Sequence, residues 1–365
     1  MVKPKTDGID IVYADDINHL DPLTLASVVF PTGFTSTRMQ NAVDSLPSTG
    51  GLVSLRPGTY TLSTQIFVSN AASKGIIGCG RNTILQYTGA SSAILAGNGT
   101  AYEGFVLRDM RIDLQTNESP AVALRTRGLR HMYLENIRIV GNLTNFDQTG
   151  MKIEGYGIGS WNNTIIHPVI GGCKIGIDLF GKAGANVNAV GIFGGVIVGK
   201  AGTREGSIGI RHQIGDTIGL YHTDIESFEN AISLATASSL TLCNGIRIES
   251  CGTAIAIVSG SNNHRFIGGS ISNVNTVVSN SGSGTRFARI VGYISETRGD
   301  ASVSHATTIA HGLATTPSII TLISESTSPR IFSVTSKDAS NFTVGIWNTS
   351  GSTISGTRAY WYAEV

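Results

Sequence analysis

Two strings of the chain, His222-Thr223-Asp224-Ile225-Glu226 and Arg247-Ile248-Glu249, bring together the residue types that acid–base chemistry on a sugar uses. Paired carboxyl groups flanking a glycosidic bond act as acid and base, or as acid and nucleophile, at separations of about 5–9.5 Å. The strings lie 23 residues apart when Ile225 is set on Ile248, and that register puts Glu226 beside Glu249 and Asp224 beside Arg247. Adjacent strands of a sheet are about 4.8 Å apart, so one or two such steps span the required range. Two neighbouring carboxylates repel, which favours keeping a proton on one of them, as a general acid needs, while Arg247 opposes this. The expected catalytic group is therefore Glu226, Glu249 and Asp224, with His222 and Arg247 as substrate contacts. Trp161 and Tyr156, in "EGYGIGSWNN", are expected to stack on a sugar ring. The competing reading is a solvated face, with Asp224–Arg247 a cross-strand ion pair of little energetic weight. Asp178 and Arg211 are expected to form such a solvated column, while His131 with Glu135 and His212 with Asp216 are further loose candidates.

What would position these residues is a repeat. Ile225 and Ile232 recur as Ile248 and Ile255, then as Ile271 and Val278, each 23 residues on, and Ile170 to Ile177 keeps the same seven-residue offset. Within the copies apolar and polar residues alternate, the period-two signature of a strand with one buried face. Short strands at this spacing, separated by Gly, Asn and Ser, fit a solenoid whose coils stack their strands in parallel. Cys173, Phe228, Cys251 and Val274, each three residues after the aligned Ile, are expected inside it. The expected fold class is all-β, a single-stranded right-handed parallel β-helix of about ten coils at this period. The insertion "GKAGTREGSIG", residues 199–209, is a place where a solenoid carries function.

Composition agrees and narrows the partners. Charged residues are 14% of the chain and Gly 45 of 365, which is poor in the residues that fill helix faces. With 26 basic against 25 acidic side chains, nothing global points to nucleic acid or to insertion in a membrane. Cys79, Cys173, Cys243 and Cys251 lack metal-ligand spacing and are expected as buried free thiols. No metal or other cofactor is expected. The N-terminal string lacks the apolar core of a secretion signal, so synthesis in a cytoplasm is expected, and the triplets at Asn98 and Asn142 carry no weight as glycosylation sites.

The ends read differently from the middle. "TSTRMQNAVDSL" is a Thr- or Ser-capped amphipathic helix at 36–46 with Met39, Ala42, Val43 and Leu46 inward, covering the first open edge of the stack. After about residue 303 the period stops and "TTIAHGLATTPSIITL", "RIFSVTSKDASNFTVGIWN" and "TRAYWYAEV" read as antiparallel strands. The expected divisions are thus 1–34, an N-terminal segment; 35–303, the β-helix with its cap; and 304–365, a small β-sandwich-like domain.

"MQNAVDSLPSTGGLVSLRPGTYTLS" resembles the N-terminal opening of the pectate-lyase-like β-helix superfamily, which includes many phage tailspikes. "YADDINHL" is similar to N-terminal segments of phage structural proteins, and "TTIAHGLATTPSIITL" to strands in C-terminal domains of tail fibres and tailspikes. The resemblance implies a virion-located homotrimer, docked on a phage tail or adaptor protein by its N-terminal segment and held together by its C-terminal domain. It also implies attachment to a host surface polysaccharide, lipopolysaccharide or capsule, with or without cleavage. A non-enzymatic adhesion spike and a cellular polysaccharide lyase are the alternatives. The polygalacturonase triplets are missing, the nearest being His222-Thr223-Asp224, as is the acidic cluster of a calcium-dependent lyase, so no reaction transfers residue by residue.

Overall fold

The computed structural model describes residues 28–365 apart from 70–72, 101, 116–120, 143, 145–146, 183 and 201–204. The "YADDINHL" string, most of the expected N-terminal segment and part of the 199–209 insertion lie outside the described residues. The middle of the chain is a parallel β-helix. Its clearest expression is a ladder of isoleucines: Ile112, Ile139, Ile170, Ile197, Ile225, Ile248 and Ile271 are successive Cα partners in adjacent strands. Each is at most 5% exposed, so branched side chains of one shape pack on themselves along the axis. The expected seven-residue offset leads to a second ladder, Ile177, Ile210, Ile232, Ile255 and Val278. Cys173, Phe228 and Cys251 are fully buried, and Val274, partly buried, packs against the same core as the stack runs out.

A complete coil has three strands. In the coil carrying Glu226 they are Ile218–Tyr221, Asp224–Glu226 and Asn230–Ser238, which define faces a, b and c. Face c is one parallel sheet of nine strands, from Ile66–Val68 to Thr276–Asn280, against about ten expected coils. Between faces a and b the chain turns on a single residue in the left-handed region. The position recurs as Asp109, Asn136, His167, Gly194, His222, Gly245, Gly268 and Arg289, with φ between 48° and 66°. Gly, Asn and Asp reach that region at least cost, while His167 and His222 are held there by donating their N–H groups to the Phe193 and Asn244 carbonyls of the next coil.

The helix Ser36–Asp44 caps the stack as expected, with Thr35 accepting from the Arg38 N–H and Met39, Ala42 and Val43 buried. Gln40 adds a device the sequence did not suggest. Its amide donates to the Phe67 carbonyl at 2.9 Å and accepts from the Phe67 N–H at 2.8 Å, imitating the next strand on the open edge of face c. Edge groups satisfied this way no longer template another chain. At the other end, Arg286–Ala288 is the last parallel strand, and Tyr293 closes over Phe287 with ring centroids 5.0 Å apart. Glu296–Val303 already pairs antiparallel with Thr357–Glu364, so the architecture changes before Glu296 rather than at 303. Two three-stranded antiparallel sheets follow, joined by a core that includes Val303, Phe342, Val344 and Trp361.

Of the cysteines, Cys173, Cys243 and Cys251 are buried, and burial pushes the Cys173 thiol up to about 12. Cys79 is exposed, contrary to expectation. It follows the strand Lys74–Ile77 and enters a turn of 3-10 helix, where strand alternation no longer points it inward.

Candidate functional site

The expected register on face b is present: Asp224 pairs with Arg247, Ile225 with Ile248 and Glu226 with Glu249. The strand between the two outward positions is pinned by its buried isoleucine, so Asp224 and Glu226 project together, as do Arg247 and Glu249. Arg247 is the hub. Its Nε donates to Asp224 at 3.1 Å, its Nη1 to Glu249 at 2.6 Å and its Nη2 to Glu226. The Asp224 hydrogen bond and charge, with Glu226 and Glu249 behind them, raise the already high pKa of Arg247 further. Three carboxylates against one guanidinium leave this patch at net −2, and Arg247 remains 45% exposed. His222 is exposed at the corner before Asp224, its ring lying over Gly245 of the next coil. That placement follows from the recurring left-handed corner, which the sequence reading did not recognise.

Trp161 and Tyr156 stand two coils away along the axis, on either side of the tight turn between faces c and a. Each ring is partly taken by cations: Arg130 lies 3.8 Å from the Trp161 centroid, and Arg127 and Lys182 lie 4.7 and 5.0 Å from that of Tyr156. The aromatic surface one corner from Asp224 is a different pair. Phe193 and Tyr221 stack at 4.8 Å with planes 7° apart, outward on face a. Their rings fold over Gly191 and Gly219, where any Cβ would collide with them. The repeated Gly-x-aromatic, Gly191-Ile192-Phe193 and Gly219-Leu220-Tyr221, is the signal that would have found them.

Face c carries the second charged group. Arg125, Lys152, Asp178 and Arg211 form one outward column over four coils. The expectation of a solvated column fails here, because Asp178 is 1% exposed. Arg211 grips it through Nε and Nη2, both at 2.9 Å, and Gln213 donates at 2.7 Å. Glu154, diagonal to Asp178 and equally buried, accepts from Arg125 at two 2.8 Å bonds, from Arg127 at 3.0 Å and from Lys152 at 3.1 Å. Burial by itself would push the Glu154 carboxyl up, but the bonds and charges of Arg125, Lys152 and Arg127 together outweigh it, and the net shift is downward. Glu154 is therefore a fixed anion that orients cations. The four cations Arg125, Arg127, Lys152 and Arg211 over two carboxylates leave net +2. A cavity of about 260 Å³ opens among Arg125, Lys152, Lys174, Asp178 and Arg211.

His212 is inside the solenoid, not a surface partner of Asp216. The alternation Ile210-Arg211-His212 points it inward, where its Nδ1 lies 3.0 Å from the Thr241 hydroxyl and its Nε2 is buried without a hydrogen bond. His264, fully buried, accepts from the Thr241 N–H and meets the Ser261 hydroxyl at 2.6 Å, which in turn reaches Ser238. Burial, and for His212 also the neighbouring His264, pulls both imidazoles down to about 4.

No protein-family model and no curated protein matches the chain. Solved structures do. ORF18 of Geobacillus virus E2 is 13% identical with a TM-score of 0.55, covering 87% of this chain and 74% of its own. At that identity the likeness speaks to the fold, a parallel β-helix continued by further β structure. Two others match with less in common: pectate lyase Pel9A, at 13% identity, TM-score 0.49 and coverage of 74% and 81%, and the tailspike protein 2 enzymatically active domain of bacteriophage CBA120. The last is 11% identical with a TM-score of 0.48 and covers 90% of this chain and 67% of its own.

Proposed function

We propose that the protein is a phage tailspike that attaches to a host surface polysaccharide, lipopolysaccharide or capsule, along the flank of its β-helix. One observation carries this reading: successive coils, about 4.8 Å apart, set charged and aromatic side chains in register along the flank. Charged columns on faces b and c and a stacked aromatic pair on face a run parallel to the axis. A surface of that kind is complementary to a linear polymer of repeating units. Support also comes from the fold shared with a viral protein and from the resemblance of the two terminal strings to phage virion segments. In the same reading the spike is a homotrimer, located on the virion, with the N-terminal segment bound to a tail or adaptor protein.

Cleavage, where it occurs, falls to Glu226 and Glu249 as acid and base or nucleophile, with Asp224 beside them and His222 and Arg247 touching the sugar. Their one-coil separation suits a pair acting on a single glycosidic bond. The Arg247 clamp on all three carboxylates favours the second reading, an adhesion spike that binds without cutting. Incubation with a panel of bacterial surface polysaccharides, followed by size-exclusion chromatography, separates the two. Shortening of a polymer by the wild type and a loss of at least a hundredfold in Glu226→Gln support the hydrolase; binding with no shortening of any polymer leaves the adhesion spike.

A further inference from the structure

The charged cavity on face c differs from the Arg247 patch, because its anions are buried beneath its cations. Asp178 and Glu154 are each 1% exposed, whereas the side chains of Arg125 and Arg211 keep 28% and 30% of their surface on the cavity wall. Each of these arginines commits Nε and Nη2 to its carboxylate in a two-point grip. A guanidinium has five N–H donors, so three remain on each for an outside acceptor. The grip fixes the direction in which those donors point and removes the entropy cost of ordering them when a ligand arrives. Lys152, 23% exposed, stands between them in the column, and Lys174 adds a fourth cation at the rim, 3.3 Å from Asp147.

We propose that this cavity binds the carboxylate groups of an acidic glycan, one whose sugars carry uronic or comparable carboxylic acids, with the polymer lying along the solenoid axis. The inference rests on the reading of the protein as a glycan-binding spike. The column places its cations at the first, second and fourth coils, with Asp178 at the third. Lys152 and Arg211 are thus two steps, about 10 Å, apart. That spacing suits acidic sugars alternating with neutral ones, the neutral unit passing over Asp178. The Arg247 patch on face b, at net −2, repels the same polymer, so an acidic chain is drawn to face c rather than to that patch.

The test is an array of acidic bacterial capsular and O-antigen polysaccharides, each printed beside its carboxyl-reduced neutral form and probed with the full chain. Binding to an acidic member at least tenfold above its reduced form is expected, weakening as salt rises from 50 to 500 mM on the order of the screening change. Lys152→Gln and Lys174→Gln leave the Arg125–Glu154 and Arg211–Asp178 grips in place, and each is expected to cost about threefold to tenfold in affinity, Lys174→Gln with an unchanged melting temperature and Lys152→Gln with a lowered one, since it removes a partner of Glu154. The joint replacement of Asp178 and Arg211 by leucine removes a grip without stranding a charge, and is expected to abolish the preference for the acidic form. Equal binding to acidic and reduced forms, or full binding by both lysine variants, overturns the inference while leaving the glycan-binding reading in place. Binding to no member of the array overturns both.

Discussion

Faces b and c carry charged ladders built on the same rung spacing, yet they differ in depth. On face b one exposed arginine holds three partly exposed carboxylates. On face c two carboxylates are nearly sealed from solvent, and the cations lie over them. The first arrangement is inexpensive to form and adjustable, since solvent screens each pair. The second has already met the desolvation cost of its anions through multiple donors, so it is rigid and presents a fixed positive surface. Position along a ladder thus determines which residues meet, while depth determines what they can do.

The largest expected effect that separates the faces is Glu154→Leu, which leaves Arg125, Arg127 and Lys152 facing one another without their shared anion. A loss of about 3–5 kcal/mol is expected for breaking a buried charge network from one side. Denaturant titration checks it, and a loss close to zero would show that face c is no better ordered than face b. Next in size is a pH effect in the interior. His212 and His264 are held neutral with pKa values about 4, below the roughly 6.5 of the unfolded chain. Between those values the unfolded chain binds protons that the folded one does not, so stability present above pH 6.5 declines as pH falls toward 4. Melting temperatures at pH 7.5 and 5.5 should differ measurably, before carboxylates begin to titrate, and should converge in the double variant His212→Gln/His264→Gln. The smallest effect is expected on face b: Arg247→Ala should cost at most about 1 kcal/mol, as exposed pairs do. A cost rivalling that of Glu154→Leu would erase the distinction drawn between the faces.

Much of the architecture was legible because isoleucine spacing encodes it. Ile225, Ile248 and Ile271 give the rung length, and their partners at 232, 255 and 278 give the next face. The capping helix was readable from Met39, Ala42 and Val43 at helical spacing after a Thr cap. The register of Asp224 with Arg247 and Glu226 with Glu249 followed from the same alignment. Depth was not legible, since alternation separates inward from outward and says nothing of how far neighbouring long side chains cover an outward residue. Asp178 points outward and is buried nonetheless, under Arg211 and Gln213. The column of Asp178 and Arg211 was legible, but its extension to Lys152 and Arg125 was not, because the earlier coils depart from the 23-residue spacing. Cys79 was misplaced for a related reason, lying in a turn outside the alternating pattern.

The coils beginning at Ile225 and Ile248 are interchangeable in length, and each hands the chain on to its successor at the same point of the cross-section. Unequal recombination between two such stretches would therefore remove or duplicate a whole rung, about 4.8 Å of rod, without putting either neighbour out of phase. Rod length is then a quantity that inheritance can adjust in discrete units, independently of the chemistry at the two ends.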